Sequence, residues 1–187
     1  MEKTMPQSTA YQKSQLVLHW LIFILFVVAL VAIEWRGNVP NETGKQLRDT
    51  LRAVHISAGL LMFILTFVRI EERIRLGAPR VLGDAKWQIG SAHLLHFVLY
   101  LVMFGLPITG FIFSQAGGRE VAFFGWVLPV LIAKDQALRN NVREVHELIG
   151  NAVYFLVGLH ALAALWHHYF VKDETLRRML PFLARRG

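Results

Sequence analysis

Four long apolar stretches run through the chain, Leu16 to Ile33, Val54 to Ile70, Ala92 to Phe113 and Leu148 to Val171, of 18, 17, 22 and 24 residues. A helix rises about 1.5 Å per residue and a hydrocarbon core is about 30 Å thick, so each stretch with a little flanking helix can cross a bilayer. Buried helices of soluble bundles rarely run so far without a polar face. The first stretch exceeds the apolar region of about 7–15 residues in a cleaved signal and holds a histidine, so it reads as a retained helix. The pattern predicts an all-α fold, an integral membrane four-helix bundle. It forms a single domain over residues 1–187, with helices at about 16–33, 54–70, 92–113 and 148–171. Gly77, Pro79 and Gly83 mark a turn-rich connection between the second and third helices. Val121 to Ala133 is apolar but short and broken by Pro129, which suits lying flat at the interface better than spanning.

Composition agrees: 55% of residues are hydrophobic, more than a soluble domain of this length needs to bury, so the surplus faces lipid. The absence of cysteine excludes a disulfide scaffold and a thiolate metal site. The net charge of +7 is placed asymmetrically. The side carrying both termini has twelve Lys and Arg against six Asp and Glu, and the other side has eight against seven. Lys3, Arg69, Arg73, Arg185 and Arg186 belong to the more basic side. Cytoplasmic segments keep the excess of Lys and Arg, so both termini are predicted cytoplasmic. This accounts for the basicity without nucleic acid, for which no folded basic module is visible.

Ionisable groups inside a membrane are costly and usually functional. Within the four stretches they are Arg69 and seven histidines, His19, His55, His93, His96, His160, His167 and His168, with His146 just outside the fourth. No Asp, Glu or Lys falls inside, which argues against a carboxylate proton relay or an ion-coupled transporter. Imidazole suits a metal or haem iron. Any one of these histidines could equally be a hydrogen-bonded interfacial residue; their arrangement carries the functional reading. His146 and His160 are 14 residues apart, about 40° short of four full turns and about 21 Å along the axis. That leaves room for two cofactors, one near each leaflet, each needing one more histidine. Matching depths pairs His55 with His146 at the outer site. At the inner site His19 faces either His160 or His167. The second choice would part the fourth-helix ligands by about 31.5 Å, a poor electron path, which favours His160.

Gly59, Gly150 and Ala164 each follow a candidate ligand by four residues, leaving a helix face free for a flat macrocycle or for close helix packing. Arg52 and Arg143 stand three residues before His55 and His146, on the same face, where cations would meet haem propionates. At the inner end His93, His96 and Tyr100 share a face, and His167 lies one heptad beyond His160. With Trp87 and Trp166 they suit a quinone head group, or an ordinary aromatic belt.

These segments, LVLHWLIF around His19, EWRG from Glu34, AVHISAG around His55, SAHLLHFVLY from Ser91 and VHELIGNAVYFLVGLHALAALWHHYF from Val145, with a basic tail, touch all four helices. The chain resembles the bacterial diheme cytochrome b-561 family, in particular its small stand-alone members of superoxide oxidase (superoxide:ubiquinone oxidoreductase) type. The resemblance implies two b-type haems, held by His19 with His160 and by His55 with His146. It also implies a multi-pass protein of the bacterial inner membrane that oxidises superoxide to O2 at the periplasmic face and reduces ubiquinone. His96 and His167 carry over as quinone-site contacts, whereas Arg80 to Ile89 matches no motif, which leaves Lys86 and Trp87 without a role. Arg36, Arg52 and Arg143 form the candidate catalytic set, joined by Arg119, Lys134 and Arg139 as outer cations able to steer a small anion. The expected partners are superoxide, ubiquinone and membrane lipid, with no obligatory protein partner. The alternative is a cytochrome b anchor subunit passing electrons between a partner dehydrogenase and quinone, which the short, partly basic loops disfavour.

Overall fold

In the computed structural model, which describes residues 10–83 and 85–180, polar side chains decide where the helices begin and end. Lys3, Arg185 and Arg186 of the charge asymmetry lie outside the described residues. Helix α1 (Lys13–Asn38) opens where Gln15 accepts the Gln12 amide at 3.0 Å. The other end of the same amide, Gln15 Nε2, donates to the Gly77 carbonyl at 2.8 Å, at the end of α2 (Lys45–Leu76). Gly77 adopts φ +72°, which glycine tolerates without steric cost, and Pro79 keeps the helix from resuming. At the opposite end Arg48 Nη1 donates to the carbonyls of Arg36 at 3.1 Å and Val39 at 2.7 Å, satisfying acceptors that the end of α1 leaves without helical partners. The antiparallel pair α1–α2 is thus clamped at both ends.

Helices α3 (Lys86–Ala116) and α4 (Gln136–Trp166) form a second antiparallel pair. Asp135 caps α4 by accepting the Leu138 amide at 2.9 Å. Between them lies a two-stranded hairpin, β1 (Ala122–Phe123) with β2 (Trp126–Val127). Its turn residues Phe124 and Gly125 both take positive φ, +48° and +88°, as a tight turn between twisted strands requires. The Phe124 amide donates to Ser57 Oγ at 3.0 Å and Arg52 Nη2 to the Glu120 carbonyl at 3.2 Å, laying the hairpin on α2. Buried Gln115 donates to the Pro129 carbonyl and accepts the Leu131 and Ile132 amides. The apolar segment Val121 to Ala133 therefore does not span; it folds back as this hairpin and a stapled loop.

The two pairs meet along α2 and α3, while the backbones of α1 and α4 stay farther apart. Ile22, Phe26, Met62, Val102 and Val153 form the shared core. Phe63, Phe67 and Phe104 meet edge to face with centroids 4.8–5.6 Å apart. Thr66 is fully buried, and its hydroxyl is satisfied by the Met62 carbonyl at 2.8 Å. Among the described residues four helices are long and apolar enough to cross a membrane, and in none is more than 22% of the most apolar window buried inside the protein. The remaining apolar surface is available to lipid.

The helices run beyond the apolar stretches, and this corrects two placements. Helix α4 begins at Gln136 rather than near Leu148, so His146 sits ten residues inside it, not outside the span. Helix α2 begins at Lys45, so His55 lies ten residues in rather than at its start. Hydropathy registers only the part of a helix that lipid surrounds, whereas capping and backbone bonding carry the same helix on through polar turns. Past Trp166 the chain widens into a π-helical turn, His167–Val171. It then reverses at Lys172, φ +60°, and enters the short α5 (Thr175–Met179). Trp20 Nε1 donates to the Met179 carbonyl at 2.9 Å, tying α5 back to α1.

Candidate functional site

The bundle brings four histidines into two facing pairs. His55 on α2 faces His146 on α4, and His19 on α1 faces His160 on α4, with ring centroids 6.2 Å apart in each pair. The residues around the first pair hold both rings by Nδ1. His55 Nδ1 bonds the Ala29 carbonyl at 2.8 Å. His146 Nδ1 bonds the Leu106 carbonyl at 3.0 Å and meets Thr109 Oγ1 at 3.0 Å. Each ring then has Nε2 left to bind something else, with its tautomer and orientation set by a backbone acceptor, as metal-bound histidines usually have.

Haem fits these pairs. Bonds from first-row metals to imidazole nitrogen run about 2.0–2.1 Å, so two imidazoles ligating one ion from opposite sides have centroids about 6.3 Å apart. A Cβ built at Gly59 or at Gly150 would meet no heavy atom within 4 Å, so both glycines border open space beside their histidines, as a flat macrocycle needs. Among the described residues no three His, Cys, Asp or Glu side chains converge on a metal-binding point. The two-imidazole sets therefore suit an ion whose other ligands a porphyrin supplies.

Around the end of the bundle beyond His55 and His146, positive charge gathers. Arg48, Arg119 and Arg143 act on Arg36, and Arg119 and Arg36 act on Arg52, with Asp49 as an acidic counterweight. Arg36 Nε is buried with no hydrogen-bond partner among the described residues, a cost that an anion would relieve. Of the candidate catalytic arginines, Arg52 is half-buried and holds the Glu120 carbonyl, while exposed Arg143 is drawn to Glu147 at 2.6 Å.

The residues expected to contact quinone lie on α3 and at the end of α4. His96 stacks edge-on against His160 at 5.3 Å, nearer to it than His19 is. His167 lies on the π-helical turn with its Nδ1 2.6 Å from Asp173 Oδ2. His93 and Trp87 are exposed.

Several residues of the site were not legible beforehand. Gly110 is one: a Cβ there would lie 3.1 Å from His146 Cε1, so glycine makes room for the ring. Thr109, Arg48 and the pair Tyr154–Glu34, bonded at 2.8 Å from α4 to α1, are others. The only sequence signals were Gly and Thr inside an apolar helix and the polar tip of a tyrosine, each common in membrane helices.

A four-helix membrane bundle with facing histidine pairs is the architecture of a membrane-embedded b-type cytochrome. The chain belongs to the prokaryotic cytochrome b561 family, whose model matches residues 10–182. It is accordingly a haem-bearing, electron-transporting oxidoreductase of a bacterial membrane, crossing it several times. It is similar to a probable superoxide oxidase, CybB, of Yersinia pestis, 35% identical over 172 residues that cover 91% of this chain and 96% of the relative. It is similar also to cytochrome b561 homolog 1 of Escherichia coli strain K12, 31% identical with 91% and 97% covered. Cytochrome b562 of Cereibacter sphaeroides is 27% identical, with 94% and 98% covered.

Proposed function

We propose that this chain is a self-contained diheme superoxide:ubiquinone oxidoreductase. It works as one domain over residues 1–187 in the bacterial inner membrane, with both termini cytoplasmic. The observation that carries this reading is the pair of facing histidine couples on one bundle, whose α4 members are about 21 Å apart along the helix. Arginines cluster beyond one couple and polar histidines lie beyond the other. Similarity to a probable superoxide oxidase over nearly the whole chain supports the choice of donor.

In this reading His55 with His146 and His19 with His160 hold the haems, and Gly59 and Gly150 keep their faces free. The haems, when bound, supply one-electron carriers between the two depths. The Ala29 and Leu106 carbonyls fix the outer imidazoles by Nδ1. Arg36, Arg52 and Arg143, with Arg48 and Arg119, raise the local concentration of a small anion at the outer face. Superoxide gives up one electron there and leaves as O2. Two superoxide ions supply the two electrons that, with two protons from the inner side, turn ubiquinone into ubiquinol. His96 and His167 provide polar contacts at the inner end.

The test is stopped-flow visible absorption of the oxidised, purified holoprotein mixed with superoxide. Rapid reduction of the haem bands, reversed on adding ubiquinone, is the expected result. Reduction by dithionite but not by superoxide would overturn the donor assignment and leave a protein donor in its place.

A further inference from the structure

The π-helical turn puts a carboxylate where an ordinary helix would not. Asp173 is six residues beyond His167, and at about 100° per residue a regular α-helix would place it about 120° around the axis from His167. The π-turn at His167–Val171 and the left-handed Lys172 fold the chain back instead. Asp173 Oδ2 then lies 2.6 Å from His167 Nδ1, while Oδ1 accepts the Thr175 amide at 2.8 Å. Both side chains are 19% exposed. Burial by itself would raise the Asp173 carboxyl, but the hydrogen bonds from His167 and Thr175 outweigh it and hold the group below the usual carboxylate value. Asp173 also forms part of the wall of a cavity of about 270 Å³ shared with His168, Tyr169, Lys172 and Arg177, large enough for several waters.

From this geometry we infer that Asp173 is a positioning residue for quinone reduction. It orients His167 through Nδ1, so that His167 serves as the proton donor, reloaded through the adjoining cavity. This rests on the quinone-reducing function proposed above and adds to it the source of the protons. Asp173 holds Nδ1, which leaves Nε2–H as the donor. As ubiquinone accepts an electron from the haem pair, the Nε2–H bond breaks and an O–H bond forms at a quinone carbonyl oxygen. A solvent proton from the cavity then restores Nε2–H. Two such transfers, one with each electron, give ubiquinol. π-turns inside α-helices are frequently found at functional sites, and here the turn is what makes the dyad possible.

The test uses the full-length holoprotein and decyl-ubiquinone, comparing wild type with Asp173→Asn. Haem content and the rate of haem reduction by superoxide should be unchanged. Haem reoxidation by the quinone should slow at least tenfold, in kcat rather than KM, with a larger solvent deuterium isotope effect. Asp173→Glu should restore part of the rate. If the Asn variant loses its haems, Asp173→Glu is read alone, and an intermediate rate with a raised isotope effect is expected. Wild-type reoxidation and isotope effect in a haem-replete Asn or Glu variant would overturn the dyad while leaving the quinone function standing. Failure of wild-type haems to be reoxidised by the quinone would instead overturn that function and the dyad with it.

Discussion

Replacing Gly110 with alanine separates the support of a histidine from the stability of the helix that carries it. The new Cβ would lie 3.1 Å from Cε1 and 3.5 Å from Nδ1 of His146. The ring has little freedom to retreat, because its Nδ1 is held by the Leu106 carbonyl and Thr109 Oγ1, each at 3.0 Å. A shift of a few tenths of an ångström takes those bonds to about 3.3 Å, beyond the usual range, at a cost of about 1 kcal/mol. Alanine in place of glycine returns about 1 kcal/mol in helix propensity, so folding stability should be nearly unchanged. Haem retention should not be, since disturbing the partner of a metal-bound histidine typically costs about 10–100-fold in affinity. The assay is the haem-to-protein ratio after purification, read beside a circular-dichroism melt. Under the diheme reading the ratio falls from two toward one while the melting temperature stays within a few degrees. A Gly110→Ala protein with full haem content and unaltered haem midpoint potentials would refute the reasoning.

His146→Ala should lose one haem and keep the other, checked by the same ratio and by the loss of one step in a redox titration. Tyr154→Phe removes the 2.8 Å bond to Glu34, which joins α4 to α1. It should lower the melting temperature, with about 1–3 kcal/mol lost for a hydrogen bond to a charged acceptor, and Glu34→Gln should lose less. For pH, the depressed Asp173 carboxyl gives stabilisation that is complete above the unfolded carboxylate value of about 3.9 and disappears as pH falls through the lower folded value. Hydrogen exchange across residues 167–175 should therefore be steady from neutral pH to about pH 4 once corrected for its intrinsic pH dependence, with protection falling only below that.

The number of helices and their histidine faces could be read from the chain because both follow from local rules: the length that crosses lipid and the helical repeat that aligns His146 with His160. Their ends could not, since Arg48 and Asp135 close helices outside the apolar stretches and leave no trace in hydropathy. The hairpin at Phe124 was hidden for another reason. A two-residue turn with positive φ at both positions usually shows Asn-Gly, and here a phenylalanine occupies the first. Its amide bond to Ser57 accompanies that unusual conformation. The family resemblance pairs His96 with His167, and the contact of His96 with His160 could not be read from spacing because it depends on side-chain direction on α3. Asp173 escaped notice because six residues is the wrong helical spacing, and only the change of register to a π-turn corrects it.

The packing also bears on what holds the bundle closed. Each helical pair is internally clamped, α1–α2 by Gln15 and Arg48 and α3–α4 by the Asp135 amide on the Ala116 carbonyl and by His146 on the Leu106 carbonyl. The pairs meet along α2 and α3 through Phe63, Phe67 and Phe104, whereas the backbones of α1 and α4 stay farther apart and meet through side chains, His19 with His160 and Tyr154 with Glu34. Both histidine couples cross this divide, with one ring on the first helical pair and one on α4. A cofactor ligated by such a couple bonds the two halves together at that depth, and two of them do so at two depths. Since apolar helices gain little hydrophobic free energy from leaving lipid for one another, metal–imidazole bonds are the strongest forces available to close the α1–α4 side. The electron carriers in this reading complete the tertiary structure as well as the redox chain, and their loss should loosen α1 against α4 before it disturbs either helical pair.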